Sequence, residues 1–232
     1  RLPAWTIGLG DFLLLPFFAV ILLLFIPQGI LWIGSVEVVD PPSADMMLVG
    51  GYGMSLALIG ASAFFRLLPN GHPGESHESL LRAIGSGLLA LVYFLPACLL
   101  LALGWIYLLD ALDWPSDLQD VIHVIRDTDN PLMLAQWFAV VSILAPVGEE
   151  LVFRAGLFRF LANRMRPVLA AVVSAALFAT VHWNAQAALP LFALGLVLAG
   201  VYHKTGRILA AITLHAAFNL NTLLGLISGA VK

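Results

Sequence analysis

Long apolar runs separated by short polar connections divide the chain into about seven stretches, near 6–33, 46–68, 82–109, 132–158, 168–184, 186–203 and 207–229. Most approach the ~20 residues that an α-helix needs to cross the ~30 Å hydrocarbon core of a bilayer. Inside lipid every backbone N–H and C=O must be bonded internally, so continuous apolar runs of this kind predict helices. The pattern predicts an all-α fold, a polytopic membrane helix bundle with about seven spans. The first run is long enough to span and reads as a helix rather than a signal peptide. The connection W-P-S-D-L-Q-D-V-I-H-V-I-R-D, from Trp114, has the spacing of a short amphipathic helix lying on the membrane surface. No internal repeat or low-complexity tract is visible.

Composition strengthens this picture. Of 232 residues 61% are hydrophobic and 11% charged, with a mean hydropathy of +0.97; a soluble domain carries roughly 25% charged residues. A net charge of −3 without any basic cluster speaks against nucleic acid as a partner. Cys98 is the sole cysteine, which excludes an internal disulfide and any multi-thiolate metal site.

Charge placement predicts orientation. Arg1, Arg66, Arg82, Arg159, Arg164, Arg166, Lys204 and Arg207 fall on one side of the bundle, against Arg126 and Lys232 on the other. The positive-inside rule then puts the N-terminus in the cytoplasm and the C-terminus outside. The outer connections are acidic, with Glu37, Asp40 and Asp45, then Asp110, Asp113, Asp117, Asp120, Asp127 and Asp129. By content the chain divides into residues 1–130, with three spans and the acidic outer loop, and residues 131–232, with four spans and most of the buried polar groups. Together they make one integral membrane domain.

Several chemical motifs fail on inspection. Asp11 in G-L-G-D-F lacks the second aspartate that two-carboxylate intramembrane proteases need on the preceding helix. A-I-G-S-G around Ser86 lacks the first glycine of a G-x-S-G serine motif, and Gly85, Ser86 and Gly87 read as small residues for close helix packing. His77-Glu78 does not continue into H-E-x-x-H, so the Gly/Pro-rich stretch holding His72, Glu75, His77 and Glu78 reads as a solvated cytoplasmic loop.

The polar residues that survive lie in the second half. Within P-V-G-E-E-L-V-F-R, Glu150 and Arg154 are spaced i, i+4 and share a helix face, while Glu149 points about 100° away with no partner nearby in sequence. Charges at membrane depth are expensive and mark functional sites or bundle interiors. His182 closes the fifth run, and His215 and Asn219 are spaced i, i+4 on the seventh. Any one of these could be hydrogen-bonding glue between helices; their co-occurrence on three helices favours a site. A desolvated glutamate can serve as a general base near neutrality, a histidine can hold water, and histidine and amide donors can stabilise an oxyanion. The set can therefore hydrolyse an amide without a serine or cysteine nucleophile. Glu149, His182 and His215 could alternatively bind zinc, although no close-spaced ligand pair is present.

These motifs resemble the CAAX prenyl endopeptidase and bacteriocin-processing family of glutamate-type intramembrane proteases. E-E-x-x-x-R corresponds to Glu149, Glu150 and Arg154, F-x-x-x-H to Phe178 and His182, and H-x-x-x-N to His215 and Asn219. The match runs over about 135–222. The resemblance implies Glu149 as the base that activates water, with His182 assisting. It implies His215 and Asn219 as the oxyanion pair and Glu150–Arg154 as an orienting ion pair, with Phe178 as a substrate contact. It implies no cofactor, zinc remaining the alternative. The implied partners are the lipid bilayer and a membrane-associated protein or peptide substrate, possibly prenylated; the implied location is a bacterial inner membrane. The alternative is a non-catalytic scaffold or bacteriocin-immunity protein of the same fold. A proton-coupled transporter is disfavoured by the missing inverted repeat.

Helix rise predicts a mismatch of depth. Glu149 lies about 15 Å from Arg159 and His215 about 12 Å from Arg207, whereas His182 lies about 24 Å from Arg166. A tilted fifth span or an interfacial helix near 158–166 would level them. The site is expected nearest the basic side.

Overall fold

The computed structural model describes residues 2–39, 42–72, 74–76, 78–115 and 120–228; of Asp120 only the backbone is described. Arg1, Asp40, Asp117 and Lys232, counted above for orientation, and His77 of the failed zinc motif lie outside the described residues. Every regular element among the described residues is helical. We number them α1 (Leu9–Ile33), α2 (Ala44–Arg66), α3 (Leu80–Ala111), α4 (Asp120–Arg126), α5 (Pro131–Ala162), α6 (Pro167–Thr180), α7 (Ala185–Thr205) and α8 (Ile208–Ile227).

The helix ends follow from local chemistry. Ser43 accepts a hydrogen bond from the Met46 N–H at 3.2 Å, and Ser79 from the Arg82 N–H at 3.3 Å. Asn130 caps α5 from outside, accepting from Leu132 and Met133 N–H at 3.0 and 3.3 Å, with Pro131 in the first turn. Asn184 caps α7 at 2.7 Å through the Ala187 N–H. Gly206 ends α7 in the left-handed conformation, at φ 66°, which a residue with a Cβ adopts only under strain.

Among the described residues six helices are long and apolar enough to cross a membrane, and with them the chain is an integral membrane protein. The expected count of about seven is close, and the difference lies in one helix. α6 has 14 residues, about 21 Å at 1.5 Å per residue, short of the ~30 Å core. It is a short apolar helix that buries Ala170, Ser174, Ala175, Phe178 and Ala179 against the bundle and leaves Val168, Leu169 and Leu177 exposed.

α5 is the central element, touching α2, α6, α7 and α8. It is not a uniform α-helix: Val140–Leu144 and Leu151–Phe158 are wound as π-helix on either side of Ala145–Glu150. Close approaches pull the other helices around it. A Cβ on Gly195 would stand 2.8 Å from the Ala175 Cβ, so α6 and α7 meet backbone to backbone. A Cβ on Gly87 would stand 2.5 Å from the Ala210 carbonyl oxygen, which brings α3 onto α8. The packing expectation thus holds for Gly87, whereas Gly85 faces open space.

The residues before α1 are extended and grip the far end of α5. Pro3 accepts from Arg159 Nη2 at 2.6 Å, the Trp5 N–H donates to Asn163 at 3.3 Å, and Arg164 donates to the Ile7 carbonyl. Phe12 stacks on Phe160 at 3.8 Å. Arg159, counted above as a cation at the cytoplasmic surface, is fully buried, and its other nitrogen donates to the Tyr202 hydroxyl at 3.0 Å.

The loop after α2 is likewise tied down at its far end. Ser76 donates to the Thr205 carbonyl at 2.6 Å, its N–H bonds the Gly206 carbonyl, and Arg207 pairs with Glu75 at 3.2 Å. His72 remains exposed.

Candidate active site

The two adjacent carboxylates have opposite environments. Glu150 is fully buried, and its Oε1 accepts from Arg154 Nη1 at 2.9 Å and from His215 Nδ1 at 2.8 Å. Arg154 is also fully buried; its Nη2 donates to the Gly195 carbonyl at 3.4 Å, and its guanidinium lies 4.2 Å over the Phe178 ring. The i, i+4 pairing read from sequence is therefore formed, although Arg154 stands on a π-helical stretch. Glu149 retains 15% side-chain exposure and faces His215 Nε2 at 3.8 Å.

Hydrogen-bond logic fixes one proton on each histidine. A carboxylate oxygen only accepts, so Nδ1 of His215 donates to Glu150, and Nε2 is the atom turned toward Glu149. A carbonyl also only accepts, so Nδ1 of His182 donates to the Phe178 carbonyl at 2.7 Å. The neutral His182 ring then has Nε2 as its basic nitrogen.

Asn219 serves α5 as well as the site. In the first π-helical stretch the Ala145 N–H bonds the Val140 carbonyl, five residues back. The next donor in that register is residue 146, a proline without an N–H, so the Val141 carbonyl has no donor from its own helix. Asn219 Nδ2 donates to Val141 at 2.9 Å and fills the gap. Its second amide proton and its oxygen remain.

These groups border one cavity of about 280 Å³, lined by Glu149, His182, His215 and Asn219 with apolar walls from α4, α7 and α8. Phe178 does not line it. Its ring is fully buried, 4.8 Å from the His182 ring and 5.7 Å from the His215 ring, so it supports both histidines from behind.

The depth mismatch disappears for three reasons. Arg159 is buried, so it does not mark the surface; α5 runs on to Ala162; and the α7–α8 turn at Thr205 and Gly206 is itself buried, with Ser76 bonded to both of its carbonyls. The zinc alternative fits poorly. Among the described residues no group of three His, Cys, Asp or Glu side chains is placed to hold a metal ion, and His215 stands between two carboxylates with one nitrogen committed to each face.

Sequence reasoning missed the roles of Gly195, Val141 and Arg159, and the α4 wall of Val121, Ile122 and Ile125. The one available signal was Pro146, which inside a helix always frees a carbonyl.

No curated protein and no solved structure matches the chain. Residues 131–221 match the family model described as type II CAAX prenyl endopeptidase Rce1-like. The matched stretch holds every residue of the polar cluster. The motif residues of α5, α6 and α8 that meet at one cavity all lie within the stretch that is similar to the Rce1-like family.

Proposed function

We propose that this protein is an intramembrane endopeptidase that hydrolyses a peptide bond of a membrane-associated substrate with a water activated by Glu149. The observation that carries this reading is the division between the carboxylates. Glu150 is consumed by Arg154 and His215, while Glu149 is left in the cavity opposite a histidine nitrogen.

In the reaction a water oxygen attacks the scissile carbonyl carbon and its proton passes to Glu149. The C=O electron pair moves onto oxygen, where the second Nδ2–H of Asn219 is an available donor and His215 donates from Nε2 when that nitrogen also carries a proton. Such donors contribute roughly 2.7–4 kcal/mol each in well-studied cases. Collapse of the intermediate breaks the C–N bond, and the proton held by Glu149 goes to the leaving amine. His182, with Nε2 as its free nitrogen, holds the water and assists that transfer. Glu150 and Arg154 position His215 and do not touch substrate. No metal enters these steps. Residues 131–232 act as the catalytic core and residues 1–130 frame it, in a bacterial inner membrane with the N-terminus cytoplasmic.

The test compares peptide termini in membranes carrying wild type or Glu149→Gln at equal abundance. Termini produced only by wild type are the expected result and identify the substrate. Identical termini, from a variant that unfolds at the wild-type temperature, would overturn the reading in favour of a non-catalytic scaffold.

A further inference from the structure

Grooves stay open between neighbouring helices on the outside of the bundle. One lies between α5 and α8, with Ala135, Phe138, Ile143 and Ala216 in its walls, and its described lining carries no charge. Another lies between α3 and α7 and encloses about 470 Å³. Its walls are Ala90, Tyr93 and Ala97 on α3 and Val197 and Gly200 on α7, and Lys204 borders it as well. The spacing of each set puts it on one helix face. Small residues make the trough: a Cβ on Gly200 would meet nothing within 4 Å. From Val197 to Lys204 the groove follows about 10 Å of helix. Helices in lipid gain no hydrophobic energy by closing on each other, so a trough of this kind fills with an apolar chain.

Cations gather at one end of this groove. Lys204 is exposed in the last turn of α7, and Arg82 is exposed in the first turn of α3. Arg207 donates from Nε to the Glu78 carbonyl at 2.8 Å, which brings the start of α3 beside the end of α7. Arg82, Ser86, Ala90, Tyr93 and Ala97 follow one another at helical spacing along a single face. Arg82 therefore stands about 12 Å beyond Ala90, toward the Lys204 end. Neither cation has an ion-pair partner among the described residues. Of the nearby carboxylates, Glu75 is taken by Arg207, and Glu78 lies outside ion-pair reach of Arg82 and Lys204. The groove is separate from the catalytic cavity. The two share no lining residue, and Phe94 of the groove meets Phe218 of the cavity wall with their rings 5.8 Å apart.

We propose that the α3–α7 groove binds an anionic phospholipid, with one acyl chain along Ala97 and Gly200 and the phosphate between Lys204 and Arg82. An acyl chain matches the apolar lining and the missing side-chain volume of the trough. The headgroup charge follows from complementarity. Two cations without protein partners stand at the end of the groove, and lysine and arginine reach the headgroup plane by extending their apolar stems. Because Phe94 and Phe218 separate the groove from Glu149, the lipid is a resident of the fold and not the molecule cleaved. The inference does not rest on the endopeptidase reading.

The full chain, purified in detergent, is titrated with phosphatidylglycerol or with phosphatidylcholine of the same acyl chains, and bound lipid is counted by native mass spectrometry. Each Lys or Arg beside an anionic lipid contributes about 1 kcal/mol, so wild type should prefer phosphatidylglycerol by about thirtyfold. Arg82→Gln combined with Lys204→Gln should abolish the preference. Gly200→Leu and Ala97→Leu fill the trough from its two walls and should each expel the lipid. Leucine is the better helix former at position 200, so Gly200→Leu should unfold no earlier than wild type; if it does, Ala97→Leu carries the test. Ala135→Leu fills the α5–α8 groove and should change nothing.

Equal binding of the two lipids by wild type overturns the proposal, as does wild-type binding by Gly200→Leu and Ala97→Leu. Displacement by glycerol 1-phosphate would reduce the site to an anion contact, and displacement by farnesol would make it an isoprenoid site. A lipid-free dimer that Gly200→Leu dissociates would give the groove to a second copy of the chain. Each of these three results also overturns it.

Discussion

At the scale of single residues, a buried arginine decides most. Arg154 has no exposure and, among the described residues, a single acidic partner within ion-pair reach, Glu150. Removing one member of a buried pair strands the other charge, at about 3–5 kcal/mol. Arg154→Met should therefore lower thermal stability in detergent by that amount, whereas Glu149→Gln should leave it near wild type and abolish cleavage. The same pair of measurements separates an orienting carboxylate from a reacting one. Phe178→Ala should cost about 3–5 kcal/mol, because it opens a void beneath Arg154 and both histidines. If Phe178→Ala instead unfolds at the wild-type temperature and only weakens substrate binding, the ring is a substrate contact after all.

At the scale of elements, the bond from Asn219 to Val141 links α8 to the π-helical part of α5. Asn219→Ala leaves that carbonyl without a donor, at about 1–3 kcal/mol. Pro146→Ala returns an N–H at the position that the π register requires, so the two substitutions should be non-additive. A double-mutant cycle in thermal unfolding should show Asn219→Ala costing less in the Pro146→Ala background; strict additivity would mean that proline and asparagine are unconnected. Gly195 is a second element-scale control. With Ala175 at 2.8 Å from its added Cβ and Arg154 Nη2 at 3.3 Å, Gly195→Ala forces α6 from α7 and disturbs the buried cation together. About 1–3 kcal/mol of destabilisation is expected, with loss of cleavage at temperatures where the variant remains folded.

At the scale of the whole molecule, both ends of the site helices are held by segments distant in sequence. The extended residues before α1 supply a carbonyl to Arg159 and another to Arg164. Ser76 and Glu78 bond the α7–α8 turn. Arg159 is fully buried with a hydroxyl and a carbonyl as its hydrogen-bond partners and no carboxylate among the described residues. Tyr202→Phe, which removes one of them, should cost about 1–3 kcal/mol; it should leave cleavage intact, since neither group lines the cavity. A Tyr202→Phe chain with wild-type stability would show that the strap alone carries Arg159. The Arg207–Glu75 pair is a smaller matter. Both side chains are partly exposed, at 23% and 30%, and such pairs are worth about 0–1 kcal/mol.

The sequence by itself determined the helical membrane class, the limits of most helices to within a few residues, and the ion pair at Glu150 and Arg154. Each of these is a local property: apolar run length, capping chemistry at Ser43, Ser79, Asn130 and Gly206, and i, i+4 spacing on one helix. It also determined which polar residues are too costly in an apolar interior to be incidental. Only the tertiary structure decided what those residues face. Glu150 became the orienting group because His215 arrives from α8, sixty-five positions away in the chain, and takes the same oxygen as Arg154. Asn219 became a partner of α5 because Pro146 leaves a carbonyl open beside it. The depth at which these groups meet was decided by the buried Arg159, the length of α5 and the buried α7–α8 turn. Burial depth depends on how separate helices pack, and no spacing along one helix encodes it.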